Sequence, residues 1–444
     1  MAREQWESSG GFVLATIGAA VGLGNIWRFS YIAGENGGGA FLLVYLFFVL
    51  VVGFPLMIAE ISLGRRNAAD AISAYEAPGI SGAWRRIGWL GVISAVLILG
   101  YYAVIAGWAL KYFAGALTGD LWTSARTGYG QYFDDFISSA VEPVVWQAIM
   151  LTLTSVVVAR GIKGGIERLN RLLMPALAAI VIGIGVYAVT LPGSGSGVAF
   201  LLAPDWSTLG SPAVYLNALG QAFFSLGIGV AVFVTYGSYL GAQTRIPAMA
   251  FAVTIGDTVF AVAAGIAIFA TVFALGGDPA AGPKLAFITL PQILLQIPAG
   301  NWIGIAFFFL LSAAALTSMV ALLEVPVACL SSRLGWSRQR AAATMGLLCF
   351  VLGLPAALGY GPLSGFQPYG MALLDLIDHV VSNLFLPVSG LLIALLVGWH
   401  LDRKLAAQAA DLDDRFAAET WLWSLRLLAP AAIIVVLLRS SGLL

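Results

Sequence analysis

Charge is what this sequence has least of. Only 10% of its 444 residues are Asp, Glu, Lys or Arg, and the two signs balance at 22 each. No basic run is present, so nucleic acid is not an expected partner. Cysteine is nearly absent. Cys329 and Cys349 lie in apolar or near-membrane sequence and read as packing residues, so a disulfide framework is excluded. His379 and His400 are the only histidines. With no HExxH and no nucleophile–base pair in view, no enzyme is expected. The opening residues MAREQWESSGG lack the basic region, short apolar run and small-residue cleavage site of a secretory signal. The first apolar run is therefore expected in the mature protein.

What the chain does have is apolar surface. Its residues are 60% hydrophobic and the mean hydropathy is +0.93, which implies an all-α polytopic membrane protein. Eleven spans are expected, at about 11–33, 39–63, 88–115, 142–159, 172–192, 213–240, 247–276, 302–330, 341–357, 370–399 and 421–438. Arg65, Arg66, Arg85, Arg86, Arg160, Lys163, Arg403 and Lys404 fall on one side of this layout. Lys111, Arg126, Lys284 and Arg439 fall on the other. That bias puts the N-terminus in the cytoplasm and, with an odd span count, the C-terminus outside. External segments at 119–139, 192–206 and 276–301 carry the turn chemistry, and KLAFITLPQILLQI reads as short helices over an entrance. The internal segment 401–420 reads as a polar surface helix.

One stretch breaks the rule for a span. Lipid offers no partners for free backbone groups, so a crossing helix should be continuous. Thr16 to Phe29, TIGAAVGLGNIWRF, instead carries Gly18, Gly22 and Gly24, then Asn25, Trp27 and Arg28. A helix–helix packing face of small residues accounts for Gly18 and Gly22. It does not account for Asn25 or for Arg28, whose intramembrane charge costs about 2.5–3.5 kcal/mol on the lenient insertion scale. The first span is expected to break around a site. The sixth span offers a second break in GQAFFSLGIGVAVF, with Gly220, Gly227 and Gly229. Broken helices in matching places of two inverted halves point to a secondary transporter. The halves would be about 1–192 and 213–400, with an extra helix at about 421–438.

GAAVGLGNIWRF, ENGGGAF (35–41), the glycine–proline–glutamate run 53–65, Tyr101-Tyr102, FFSLGIG (223–229), LTS (316–318) and LLDLID (373–378) follow one another along nearly the whole chain. In these motifs the sequence resembles the neurotransmitter:sodium symporter family with the LeuT fold, and within it the bacterial eleven-helix transporters of hydrophobic amino acids. The resemblance implies two inverted five-helix repeats (helices 1–5 and 6–10) with helices 1 and 6 broken. It implies sodium-coupled symport of a hydrophobic or aromatic L-amino acid by alternating access, in the bacterial inner membrane. A binding-only amino-acid sensor on the same fold is the alternative.

The resemblance also implies site residues. Two Na+ ions are expected. The first would use the Ala20 carbonyl, Asn25, Ser225, Asp257 and the substrate carboxylate. The second would use the carbonyls of Gly18, Val21 and Ala314 with the hydroxyls of Thr317 and Ser318. As a lone pair these hydroxyls read first as back-bonding within a helix, and the fold makes ligands of them. The substrate carboxylate would rest on amides near Gly22 and Gly24 and on Tyr102. Amine-transporting relatives have an aspartate at the position of Gly22. Ile98, Phe224, Ser225, Gly227, Val230, Ser318 and Leu322 would surround the side chain, and Val230 leaves room where an aromatic residue often narrows the pocket. Arg28 and Asp378 would close the outer side, while Arg3 and Trp6 would latch the inner side. At the latch Ser332 replaces the usual acid, and Glu324 is a candidate substitute. Glu60 is expected to brace the broken helices. Asp257 stands where chloride-dependent relatives are neutral, near Tyr45, Gln221, Ser225 and Ala261, so chloride independence is expected. Gly165 and Pro175 match a motif for local unwinding of the fifth span. Membrane lipid is the other expected partner; the oligomeric state is left open.

Overall fold

The computed structural model describes residues 5–77, 79–123, 128–241, 243–280 and 282–440. Among them nine uninterrupted helices are long and apolar enough to cross a membrane. They are Gly39–Asn67, Gly82–Thr118, Glu142–Ala159, Ile162–Val189, Ile246–Ala274, Gly300–Leu334, Arg338–Leu358, Leu373–His400 and Arg415–Val435. A tenth crossing is bent by 52° between Ser9–Ala20 and Gly24–Glu35. The sixth expected span is likewise two pieces, Pro212–Leu226 and Val232–Gly237.

Two boundaries differ from expectation. The fifth span starts at Ile162, and Lys163, Glu167, Arg168 and Arg171 ride its first turns as a helix instead of forming a loop. The expected surface helix 401–420 is two elements. Asp402 caps Arg403–Ala409 by accepting from the Lys404 and Leu405 amides, and Asp414 caps Arg415–Trp423 by accepting from the Ala417 amide. Each aspartate satisfies amides that a helix start leaves free, so the segment divides at its second cap. The second piece runs directly into the last span.

The broken first span sits at the centre. Its inner half packs between the fifth, seventh and eighth spans, and the third span lies along the eighth. The second span meets Val232–Gly237 at close range, because a Cβ on Gly64 would overlap the Val234 carbonyl. Between the seventh and eighth spans Gly282–Leu285 and Thr289–Leu294 are short helices, as read from 276–301. They carry the buried Phe287 between the rings of Trp108, Tyr112 and Phe133.

Candidate substrate and ion sites

The first break is held open by side chains. The inner helix ends at Ala20, and Val21 turns extended at φ −69° and ψ 109°. The next amides are donors that a helix start leaves unpaired. Asn25 Oδ1 accepts from the Gly22 amide at 3.0 Å, and the Tyr102 hydroxyl, from the third span, accepts from the Leu23 amide at 3.0 Å. A Cβ at Gly22 would stand 2.7 Å from that hydroxyl, so glycine is what lets Tyr102 in.

The second break spans 227–231. Gly227, Gly229 and Ala231 all have positive φ (67°, 88° and 59°), a region L side chains avoid. Glu60 Oε1 accepts from the Gly229 amide at 2.7 Å, so the second span supplies the partner that the broken helix lacks. The bracing role expected of Glu60 is what this contact performs at the sixth span.

Between the breaks lies a small cavity. Gly22, Gly24, Ile98, Tyr102, Phe224, Gly227, Val230, Ser318 and Leu322 line it. Ser225 alone of the predicted substrate residues does not. Val232, Phe233 and Leu386 line it too and escaped the sequence reading. Nothing local marks them, because each sits in a uniformly apolar run.

Ser225 points to the other side, into a polar knot. Asn25 Nδ2 donates to Asp257 Oδ1 at 2.7 Å and to Ser225 Oγ at 3.1 Å, and Ser225 Oγ donates to Asp257 Oδ2 at 2.8 Å. The Tyr45 hydroxyl donates to Ser225 Oγ at 3.4 Å. Ala261 is fully buried one helical turn beyond Asp257, while Gln221 turns away to donate to the Gly24 carbonyl at 2.8 Å. Ala20 lines the cavity at the end of the inner helix.

A second oxygen cluster lies where the inner helix meets the eighth span. Thr317 and Ser318 hydroxyls reach the Val21 carbonyl at 3.5 and 3.4 Å and the Ala314 carbonyl at 2.8 and 3.4 Å. Back-bonding and the contact across helices are both present. Gly18 stays inside the helix, against Asn170 and Met174. Among the described residues no cluster of three His, Cys, Asp or Glu side chains could hold a metal ion. The two sets above are instead dominated by neutral oxygens, the chemistry that suits a weakly held monovalent cation.

The sequence model of the sodium:neurotransmitter symporter family matches residues 3–131 and 132–442. An uncharacterized sodium-dependent transporter of Bacillus subtilis (strain 168), YhdH, is 40% identical over 99% of this chain and 98% of its own length. An uncharacterized sodium-dependent transporter of Haemophilus influenzae is 32% identical over 99% of this chain and 98% of its own. The crystal structure of MhsT in complex with L-phenylalanine superposes with a TM-score of 0.93 at 46% identity, covering 99% of this chain and 100% of that one. The chain belongs to the sodium:neurotransmitter symporter family. It is a LeuT-fold, multi-pass membrane transporter and not an enzyme.

In this symporter the outer and inner ends are built differently from expectation. Arg28 and Asp378 line one outer cavity but form no ion pair with each other. Arg28 donates to Gln221 Oε1 at 3.0 Å and lies 4.5 Å over the Phe224 ring, while Asp378 accepts from Tyr101 at 2.7 Å and Ser382 at 2.8 Å. Neutral partners, Gln221 and Phe224 for Arg28 and Tyr101 and Ser382 for Asp378, hold the two groups apart. At the inner end Trp6 is buried, its indole N–H donating to the Tyr236 carbonyl at 3.1 Å. Arg3 lies outside the described residues. Glu324 is not free to serve the latch, because Arg338 holds both its oxygens and Tyr239 donates to it at 2.7 Å. The Ser332 hydroxyl donates to Asp70, an acid from the segment after the second span. Burial would raise the Asp70 carboxyl, but donors from Ser332, Ser73 and Ile72 outweigh it and hold it below its ordinary value. At the fifth span Gly165 lies in a widened π-type turn, 162–167, and Pro175 inside the helix that follows, so the segment is wound in this conformation.

Proposed function

We propose that this symporter couples Na+ to uptake of a bulky apolar or aromatic L-amino acid, without chloride. The cavity between the two breaks carries the reading. Its polar end offers the Gly22–Gly24 backbone and the Tyr102 hydroxyl to a carboxylate, at the start of a helix whose dipole favours an anion. No side-chain acid lines it, so a substrate must bring its own carboxylate. Its other end is apolar, and Val230 and Gly227 leave volume there. MhsT, similar throughout its length, binds L-phenylalanine.

In this reading Asn25, Ser225, Asp257, the Ala20 carbonyl and the substrate carboxylate hold one Na+. The carbonyls of Gly18, Val21 and Ala314 with Thr317 and Ser318 hold the other. The Asp257 carboxyl stands in for chloride. Arg28 and Asp378 come together when substrate closes the outer cavity, Arg3 and Trp6 secure the inner end, and unwinding between Gly165 and Pro175 lets the second ion leave. The N-terminus is cytoplasmic, the C-terminus external, and the repeats run over about 1–192 and 213–400.

Uptake and binding in proteoliposomes, scanned over all amino acids with and without Na+, test this. Sodium-dependent accumulation of leucine, phenylalanine or tryptophan is expected. Glycine outcompeting every large amino acid would overturn the substrate class. Binding without accumulation would mark a sensor. Asn25→Ala and Thr317→Ala should each weaken the Na+ dependence by about tenfold or more.

A further inference from the structure

The fifth span carries a polar side chain that none of these sites uses. Asn170 is fully buried, and its Nδ2 donates to the Ile166 carbonyl at 3.0 Å. That contact fixes which end of the amide is the donor. The other end, Oδ1, has no partner. Buried polar atoms are rarely left unpaired, and one that is calls for a reason.

Its direction supplies one. A Cβ on Gly18 would overlap Asn170 Oδ1 and stand 3.1 Å from Met174 Sδ, so the bare Gly18 backbone is what admits the amide oxygen. Gly18 lies three residues before Val21, which is about 5 Å along a helix axis. Asn170 Oδ1 therefore sits roughly one turn to the cytoplasmic side of the Val21, Thr317 and Ser318 oxygens. The pattern repeats two turns further on. A Cβ on Gly11 would overlap the Glu167 carboxyl, and Glu167, only 1% exposed, accepts from the Glu7 amide at 2.9 Å and from the half-exposed Arg171 at 3.0 Å. Gly11 and Gly18 share one face of the inner helix, and Glu167 and Asn170 share one face of the fifth span. Together they form a seam of oxygens from the second ion site to solvent.

We propose that Asn170 Oδ1 is a relay position for Na+, coordinating the ion in transit between the second site and the cytoplasm. The proposal rests on the reading that Val21, Thr317 and Ser318 hold an ion. An amide oxygen presents only acceptor lone pairs, so it suits a cation and not the substrate's carboxylate. It also gives a departing ion an oxygen partner between the second site and the Glu167 end of the same interface.

The test uses radiosodium with the full-length protein in proteoliposomes, measuring equilibrium binding and the rate of release into sodium-free buffer. Asn170→Leu should keep wild-type equilibrium binding while release slows by about tenfold. Asn170→Asp, which retains an oxygen, should release near the wild-type rate. A merely structural amide would alter binding and thermal stability without a selective change in release. Wild-type release from Asn170→Leu would overturn the relay, as would loss of equilibrium binding in both variants. Should Asn170→Leu fail to fold, Asn170→Ala is read in its place. Thr317→Ala separates the two readings. Normal radiosodium binding in Thr317→Ala removes the ion site itself, whereas lost binding there with normal release in Asn170→Leu removes only the relay.

Discussion

Tyr102 shows how much one hydroxyl does here. It accepts from the Leu23 amide across the broken helix and faces the cavity where the carboxylate is proposed. Tyr102→Phe leaves that buried amide without an acceptor, at a cost of about 1–3 kcal/mol. Amino-acid affinity should fall about tenfold or more in equilibrium binding, with the protein still folded. Val230 acts by volume. Val230→Phe should fill the apolar end and turn selectivity from aromatic toward smaller amino acids by about 10–100-fold, read as the ratio of uptake efficiencies for tryptophan and alanine. These positions were legible because glycine spacing and motif order mark them. Leu386 and Asn170 were not, since a leucine in an apolar run and an asparagine in a charged one carry no local signal.

At the scale of elements, each break depends on a partner from elsewhere. Gly229 pairs with Glu60 of the second span, and its missing Cβ makes room for the tenth. In Gly229→Ala the new Cβ would stand 2.9 Å from the Leu386 carbonyl at a φ of 88°. A loss of about 2 kcal/mol or more is expected, seen as a lower unfolding temperature in detergent together with weaker substrate binding. Asp411 ties the end of the second span to the start of the seventh, accepting from Arg65 at 2.5 Å and from the Ile246 amide at 3.0 Å. Burial would raise its carboxyl, yet Arg65 and the amide outweigh that and set it below the ordinary 3.8. A depressed value means the contact stabilises the fold above the ordinary value and is lost as pH falls through the folded one. The unfolding temperature should therefore drop as pH falls below the ordinary 3.8, and Asp411→Asn should flatten that drop.

For the whole molecule, the question is how charge balances during transport. Asp257 joins the first and seventh spans through Asn25 and reaches the sixth through Ser225. If its carboxyl replaces chloride, uptake is equal in chloride and gluconate buffers. Asp257→Asn should then transport only when chloride is supplied; equal activity in both buffers would count against the substitution. Trp6 is docked against the rings of Phe12, Tyr236 and Tyr239. Arg28 and Asp378 line one cavity and sit apart on neutral partners.

Sequence by itself determined the broken first and sixth helices, the family and somewhat more than half of the residues that line the cavity. Those follow from backbone chemistry, because glycine and polar residues at membrane depth are costly unless a site uses them. Tertiary structure alone decided which partner each polar group takes. Glu324 went to Arg338, Ser332 to Asp70 and Arg28 to Gln221, because residues far apart in the chain compete for one donor and only packing sets who is nearest. The orphaned oxygen of Asn170 belongs to the same class: its lack of a partner is a fact of the helix laid against it, which no local pattern encodes.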